Sequence, residues 1–245
     1  MERCVANLNW QEFAELIEDI KGVILPIGTM EAHGCTNLGT DITIPEYLAG
    51  RLAEELDLLI APSVNYGITR TLLPYPGSMT VEPESFKAYV YDVAESLIET
   101  GFEWILFLNG HGGHIDELAE IARELWRVTG GKSIVIHWWT LCEEITKQVL
   151  GEAGGHAGIN ETYMVMAANP ELVNESRYEP NMAHLVRSGA FPYPNPGTIL
   201  LYEKGQGLPR FVPEEAKAYA DAVTDEIARY IADVLANWKN NFAQI

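Results

Sequence analysis

Residues 103–110 read EWILFLNG, and HGGH follows at once at 111–114. A short, nearly continuous apolar run ended by Asn and Gly predicts a parallel strand covered on both faces, since neither face could then carry polar side chains. Gly110, Gly112 and Gly113 let the backbone pass close to a ligand, and they leave His111 uncrowded at the strand tip. Moving outward, GVILPIG (22–28) reads as a strand stopped by Pro26 and Gly28, LLIAPSVNYG (58–67) as a strand running into a loop, and KSIVIHWW (132–139) as another strand. Helical patterns lie between them. Residues 9–20 place Trp10, Phe13, Leu16 and Ile17 on one stripe, and 45–57 hold Pro45 in a first turn. Residues 83–100 close at Gly101, and 114–128 close at Gly130 and Gly131. Shorter helices near 140–150 and 158–168 and a long one over 213–238 complete the series. Strands separated by helices predict an α/β fold with a mostly parallel central sheet and helices on both faces.

The segment 68–82 is rich in turn residues and reads as irregular. Between 170 and 213 prolines crowd the sequence, which predicts an elaborated loop region packed on one domain spanning 1–245.

Composition narrows the function. There are 35 acidic against 16 basic residues, a formal charge of −19, so neither nucleic acid nor an anionic membrane surface is an expected partner. No apolar run approaches the roughly 18–20 residues of a membrane span. The start, MERCVANLNWQEF, lacks a signal-peptide pattern, and a cytoplasmic location is expected. Cys4, Cys35 and Cys142 are far apart and form no CxxC pair, so neither a disulfide framework nor a thiolate zinc site is indicated.

In open parallel sheets, ligands bind at the carboxyl ends of the strands. The polar residues there are Glu31 and His33 after strand 22–28, His111 and His114 after strand 103–109, and His137 at the end of 132–136. Glu31 and His33 are two apart, so in an extended segment they point to one side. Asp41 follows in GTD, just before the helix expected from Pro45. Imidazole with carboxylate and no thiolate suits zinc, iron(II) or manganese. In GGHAGINET (154–162), Glu161 lies near a helix start, where it could ligate a metal, accept a proton or merely face the helix dipole. His156 could polarise a carbonyl or protonate a leaving nitrogen. His114 opens a helix, where standing behind a ligand or at the helix entry suits it better than ligation. Ser78 is expected near the substrate, and Trp138 and Trp139 could stack on a planar substrate or pack in the core. Arg70 could anchor an anionic group or lie on the surface.

The ordered blocks PIGTMEAHG…LGTD, YG…YPGSMTV, NGHGG and HAGxxET span residues 22–165 and closely resemble the creatininase family of metal-dependent amidohydrolases, with a weaker echo at Gly197–Gly205. The resemblance implies a three-layer α/β/α fold, a centre of two divalent cations (zinc, manganese or iron), and often a hexameric homo-oligomer. Its ligands map onto Glu31, His33, Asp41 as the bridge, and His111. A further family glutamate falls on Gly113 here, and Glu161 is the candidate replacement. Two departures line the expected pocket: the HGxHLP segment reads His33-Gly34-Cys35-Thr36-Asn37-Leu38, and NGHGGN ends in His114, which is therefore placed with the substrate-binding residues. The implied reaction is hydrolysis of a small-molecule amide, a creatinine-like lactam or formamide, by metal-activated water, with Glu161 and His156 moving protons. A peptidase branch, or a noncatalytic binding protein on the same scaffold, is the alternative. No GxSxG elbow points to a serine nucleophile.

Overall fold

The computed structural model describes residues 1–242. Strands β1 (Gly22–Ile27), β2 (Leu59–Ile60), β3 (Trp104–Asn109) and β4 (Lys132–His137) form a parallel sheet in the order β2-β1-β3-β4. The β1–β3 and β3–β4 ladders run in register from Gly22↔Trp104↔Lys132 to Ile27↔Asn109↔His137, so three strand ends finish level. Every residue of β1 and β3 is buried. Their alternation serves two layers. Val23, Leu25, Ile105 and Phe107 pack with residues of α1 (Trp10–Leu16), α3 (Pro83–Glu99) and α4 (Ile115–Thr129). Ile24, Leu106, Leu108, Ile134 and Ile136 pack with α2 (Thr40–Leu56), α7 (Ile159–Ala168) and α8 (Pro213–Phe242). Each large apolar side chain taken fully out of water contributes roughly 1.5–3 kcal/mol, which explains why a sheet covered on both faces carries so few polar residues. This is the α/β/α arrangement that the alternating pattern predicts.

Several boundaries differ from the sequence reading for local reasons. The first helix stops at Leu16 after a capping box in which Asn9 accepts from the N–H groups of Gln11 and Glu12. Helix α2 begins at Thr40, not Pro45, so Asp41 lies inside its first turn. Pro45 has no N–H to give the Asp41 carbonyl one turn back. That carbonyl lies over the ends of β1 and β3: a Cβ on Gly28 would come within 2.3 Å of it and one on Gly110 within 2.1 Å. Two bare backbones thus let the helix start sit directly on the sheet's carboxyl edge. The strand expected through Trp139 stops at His137, and the helix beyond is two pieces, α5 (Trp138–Leu141) and α6 (Glu143–Leu150), meeting at Cys142.

The proline-rich stretch is not all loop. It supplies β6 (Ala183–Leu185) and β7 (Ile199–Leu201), which join β5 (Gly155–His156) in a small sheet ordered β5-β7-β6. β5 runs antiparallel to β7, pairing His156 with Leu200. Among the described residues no helix is long and apolar enough to cross a membrane.

Candidate metal centre

Six side chains converge at the carboxyl end of the sheet. Glu31 and His33 come from the segment after β1, Asp41 from the first turn of α2, and His111 from just past β3. His156 comes from β5 and Glu161 from the first turn of α7. Glu31, His33, Asp41, His111 and Glu161 are each no more than 7% exposed. Asp41 stands in the middle: its Oδ1 is 2.9 Å from His33 Nε2 and its Oδ2 is 2.8 Å from His111 Nδ1. Glu161 Oε2 lies 3.7 Å from His33 Nε2, and Glu31 Oε2 lies 3.6 Å from His111 Nδ1 and 3.8 Å from His156 Nδ1.

The other nitrogen of each ring decides what these contacts mean. His33 Nδ1 lies 2.9 Å from the Glu31 carbonyl, His111 Nε2 2.9 Å from the Ile68 carbonyl, and His156 Nε2 3.1 Å from the Ala32 carbonyl. A carbonyl only accepts, so those nitrogens carry the protons. The opposite nitrogen of each neutral ring then turns a lone pair toward carboxylate oxygens. His33 Nε2 and Asp41 Oδ2 are buried with no hydrogen-bond partner, despite their short contacts. Facing lone pairs in a dry site call for a cation between them, and imidazole–carboxylate donors without thiolate fit zinc, manganese or iron(II).

Without that cation, protons must supply the compensation. Burial opposes charge on His33 and His111, yet Asp41 with Glu161 raises His33 to about 10, and Glu31 with Asp41 raises His111 to about 9. Burial also opposes charge on Asp41, but the two imidazoles hold it well below the usual carboxylate range. Burial pushes Glu31 up and lifts Glu161 to about 7, and it drives His156, beside His33, down to about 3.

Three sets of side chains have ligand atoms close enough to hold an ion: Glu31–Asp41–His111, His33–Asp41–Glu161 and Glu31–His33–His156. Glu31, His33 and Asp41 each belong to two of them, and Asp41 alone touches both His33 and His111 within 3 Å. A cavity of about 290 Å³ opens onto this cluster, with Asp41, His111, His156 and Glu161 at its base and Trp139 and Tyr202 among its walls.

The family model described as creatininase, creatinine amidohydrolase, matches residues 6–231. The chain belongs to the creatininase family. It is thereby a hydrolase acting on carbon–nitrogen bonds. It is 26% identical to the creatinine amidohydrolase of Pseudomonas putida over 195 residues, covering 71% of this chain and 74% of that protein. It is 29% identical to the mycofactocin precursor peptide peptidase of Mycolicibacterium smegmatis over 161 residues, 62% of this chain and 59% of that one. A zinc–zinc form of a creatininase variant has the same fold, with a TM-score of 0.77 at 22% identity over 95% of this chain and 98% of that one.

In this creatininase-family protein the remaining candidates take distinct places. Trp139 lines the cavity, while Trp138 is fully buried in the core. One residue of helix separates the two fates. Ser78 is not among the cavity residues; its Oγ accepts the Ala32 N–H at 3.0 Å, which anchors the residue whose carbonyl orients His156. His114 is fully buried behind His111, stacked on Phe86 with ring centroids 4.3 Å apart. Arg70 pairs with Glu117 at 3.0 Å. Cys35 is buried, belongs to none of the three ion-holding sets, and its carbonyl accepts the Asn174 N–H. Sequence reasoning missed three residues. Asn160 Oδ1 accepts the Gly155 N–H at 2.8 Å and so holds the His156 loop. Tyr202 comes from beyond β7, and Asn109 ties β3 to His137 across 2.9 Å. The signal for Asn109 was its place at the head of NGHGG, and Tyr202 lies inside the weaker echo at Gly197–Gly205.

Proposed function

We propose that this protein hydrolyses a small amide, a creatinine-like lactam or a formamide, at a centre of two divalent cations. The observation that carries this reading is Asp41, set between two ligand triads at the floor of the cavity. Glu31, Asp41 and His111 would hold one cation, and His33, Asp41 and Glu161 the other. When bound, such cations act as Lewis acids, polarising a carbonyl and lowering the pKa of water from about 15.7 toward roughly 7.

The chain's own groups then manage position and protons. Water adds at the amide carbon, the C–N bond breaks, and the proton that water loses ends on the departing nitrogen. His156 keeps Nε2–H on Ala32 O, which leaves the Nδ1 lone pair to take that proton and hand it on. A Glu161 oxygen not engaged by a cation would relay that proton between the water and the departing nitrogen. Trp139 and Tyr202 flank the space and exclude water from a planar substrate. Among the described lining residues none is Lys or Arg, which favours a neutral amide over a phosphorylated one. The 29% identity to a peptide peptidase favours a second reading, cleavage of a short peptide. We also read the protein as a cytoplasmic homo-oligomer, hexameric as the family resemblance implies; light scattering tests the assembly.

The decisive experiment incubates metal-reconstituted protein with lactams, formamides and short peptides, with and without chelator, and follows depletion by mass spectrometry. Chelator-sensitive loss of a lactam or formamide is the expected result. Loss of peptides alone would transfer the assignment to the peptidase reading, and no loss from protein carrying about two cations would defeat catalysis as proposed.

A further inference from the structure

His114 is a buried imidazole for which the proposed reaction has no use, yet both of its ring nitrogens are engaged. Asn109 Oδ1 accepts from the His111 N–H at 3.1 Å and lies 3.1 Å from His114 Nδ1. Asn109 Nδ2 donates to the His111 carbonyl at 2.7 Å and lies 2.9 Å from His137 Nδ1. The amide is therefore saturated in one orientation only: two donations out and two acceptances in. An acceptor facing His114 Nδ1 requires the proton on that nitrogen. Nε2 then keeps its lone pair, and it accepts the Ile68 N–H at 3.1 Å. Ile68, so fixed, offers its carbonyl to His111 Nε2 at 2.9 Å. That last bond leaves His111 Nδ1 unprotonated and aimed at Asp41 and Glu31.

Sterics guard the same circuit. A Cβ on Gly67 would come 1.9 Å from His114 Nε2, and one on Gly113 would come 2.3 Å from the Ile68 carbonyl and 2.6 Å from His111 Nε2. Phe86 lies against the His114 ring at an interplanar angle of 19°, which fixes its plane. The imidazole is thus held in plane, in tautomer and in reach of both partners.

We infer that His114 is a positioning residue: through Asn109 and Ile68 it sets the tautomer and aim of His111 as a metal ligand. This rests on the metal-centre reading of the site. Groups that orient a ligating imidazole through its second nitrogen typically change metal affinity by about 10–100-fold when removed. Here the relay is one hydrogen bond longer, and it is closed on itself at Asn109.

The test titrates metal-free protein with zinc against a chromogenic chelator and records the visible spectrum of the cobalt(II) form, for wild type, His114→Leu, His114→Gln and His114→Asn. Gln carries a donor and an acceptor on one planar terminus and can serve Asn109 and Ile68 together; Asn, one methylene shorter, serves one. The expected result is one zinc site weakened at least about tenfold in Leu and Asn, an altered cobalt spectrum, and Gln near wild type. A purely structural role would lower the thermal midpoint of the variants while leaving zinc affinity and the cobalt spectrum unchanged, and that outcome overturns the inference. If His114→Leu does not fold, the Gln–Asn comparison decides, with equal affinities counting against the relay. Wild-type protein that binds no zinc would instead defeat the metal-centre reading, a failure plainly distinct from this one.

Discussion

The two triads that share Asp41 are built by different means. The Glu31–Asp41–His111 side stands on the level ends of β1 and β3, strands paired over their full length and buried on both faces. The His33–Asp41–Glu161 side leans on β5, a strand of two residues, on Ala157, whose φ of 52° is unusual for a residue with a side chain, and on the Asn160 bond that holds the loop. One half takes its geometry from the core. The other adds to His33 and Asp41 a carboxylate held locally, at the start of α7. The difference teaches that one shared carboxylate can join a triad built on the core to one built partly from a loop, and on the two-cation reading proposed above the Glu161 side is the half expected to empty first under a chelator.

The largest effect should come from removing what the halves share. Asp41→Asn is expected to abolish the binding of both cations, seen by elemental analysis, and to lower kcat/KM at least about a thousandfold, several kcal/mol of lost charge stabilisation. Retention of one tight cation would break the picture of a shared carboxylate. Glu161→Gln should spare the sheet-built half: calorimetric titration should find one tight site in place of two, with activity down about a hundredfold. Gly110→Ala attacks the sheet-built half through its scaffold, because the new methyl meets the Asp41 carbonyl and must lift the start of α2. It should cost roughly 1–3 kcal/mol in chemical denaturation and weaken cation binding without touching a ligand.

The smallest effect separates protons from cations. In metal-free protein His33 and His111 are raised to about 10 and about 9, above the unfolded imidazole value near 6.5. A group with a raised folded pKa contributes stability that is fully present below the unfolded value and is lost as pH climbs through the folded one. The thermal midpoint of chelated protein should therefore fall by a few degrees between neutral pH and pH 10. Reconstituted protein should show little of that slope, since its imidazoles never take the second proton. Equal slopes in the two forms would count against cations at this site.

Much of the fold was legible because the information was local. EWILFLNG reads as a doubly covered strand, and His111 directly after it falls where such strands place ligands. Helix α2 was misjudged at its start because proline prefers a first turn; here it is admitted a turn later, where the helix lies across two glycines, a contact between residues far apart in sequence. Trp138 and Trp139 could not be told apart by composition, since the strand yields to a helix at that point and sends one inward and one to the cavity. β6 and β7 were hidden in a proline-rich stretch because strands of three residues carry no periodicity. Ser78 was expected near the substrate and His114 either behind a ligand or with the substrate; each bonds to a backbone that a linear reading does not bring near, Ala32 for Ser78 and Ile68 for His114.

Asp41 also has a meaning for the unfolded chain. Within one triad His33 and Glu161 lie roughly 130 residues apart in sequence, and a cation held there would fasten them as a cross-link would. Closing a loop of about that length removes on the order of 4–5 kcal/mol of chain entropy from the unfolded ensemble by the reasoning applied to disulfides. A chain whose thiols are too far apart in sequence to form a CxxC pair would then possess a reversible staple after all, one opened by cation scarcity in place of reduction, and its lifetime in solution would follow the free cation concentration.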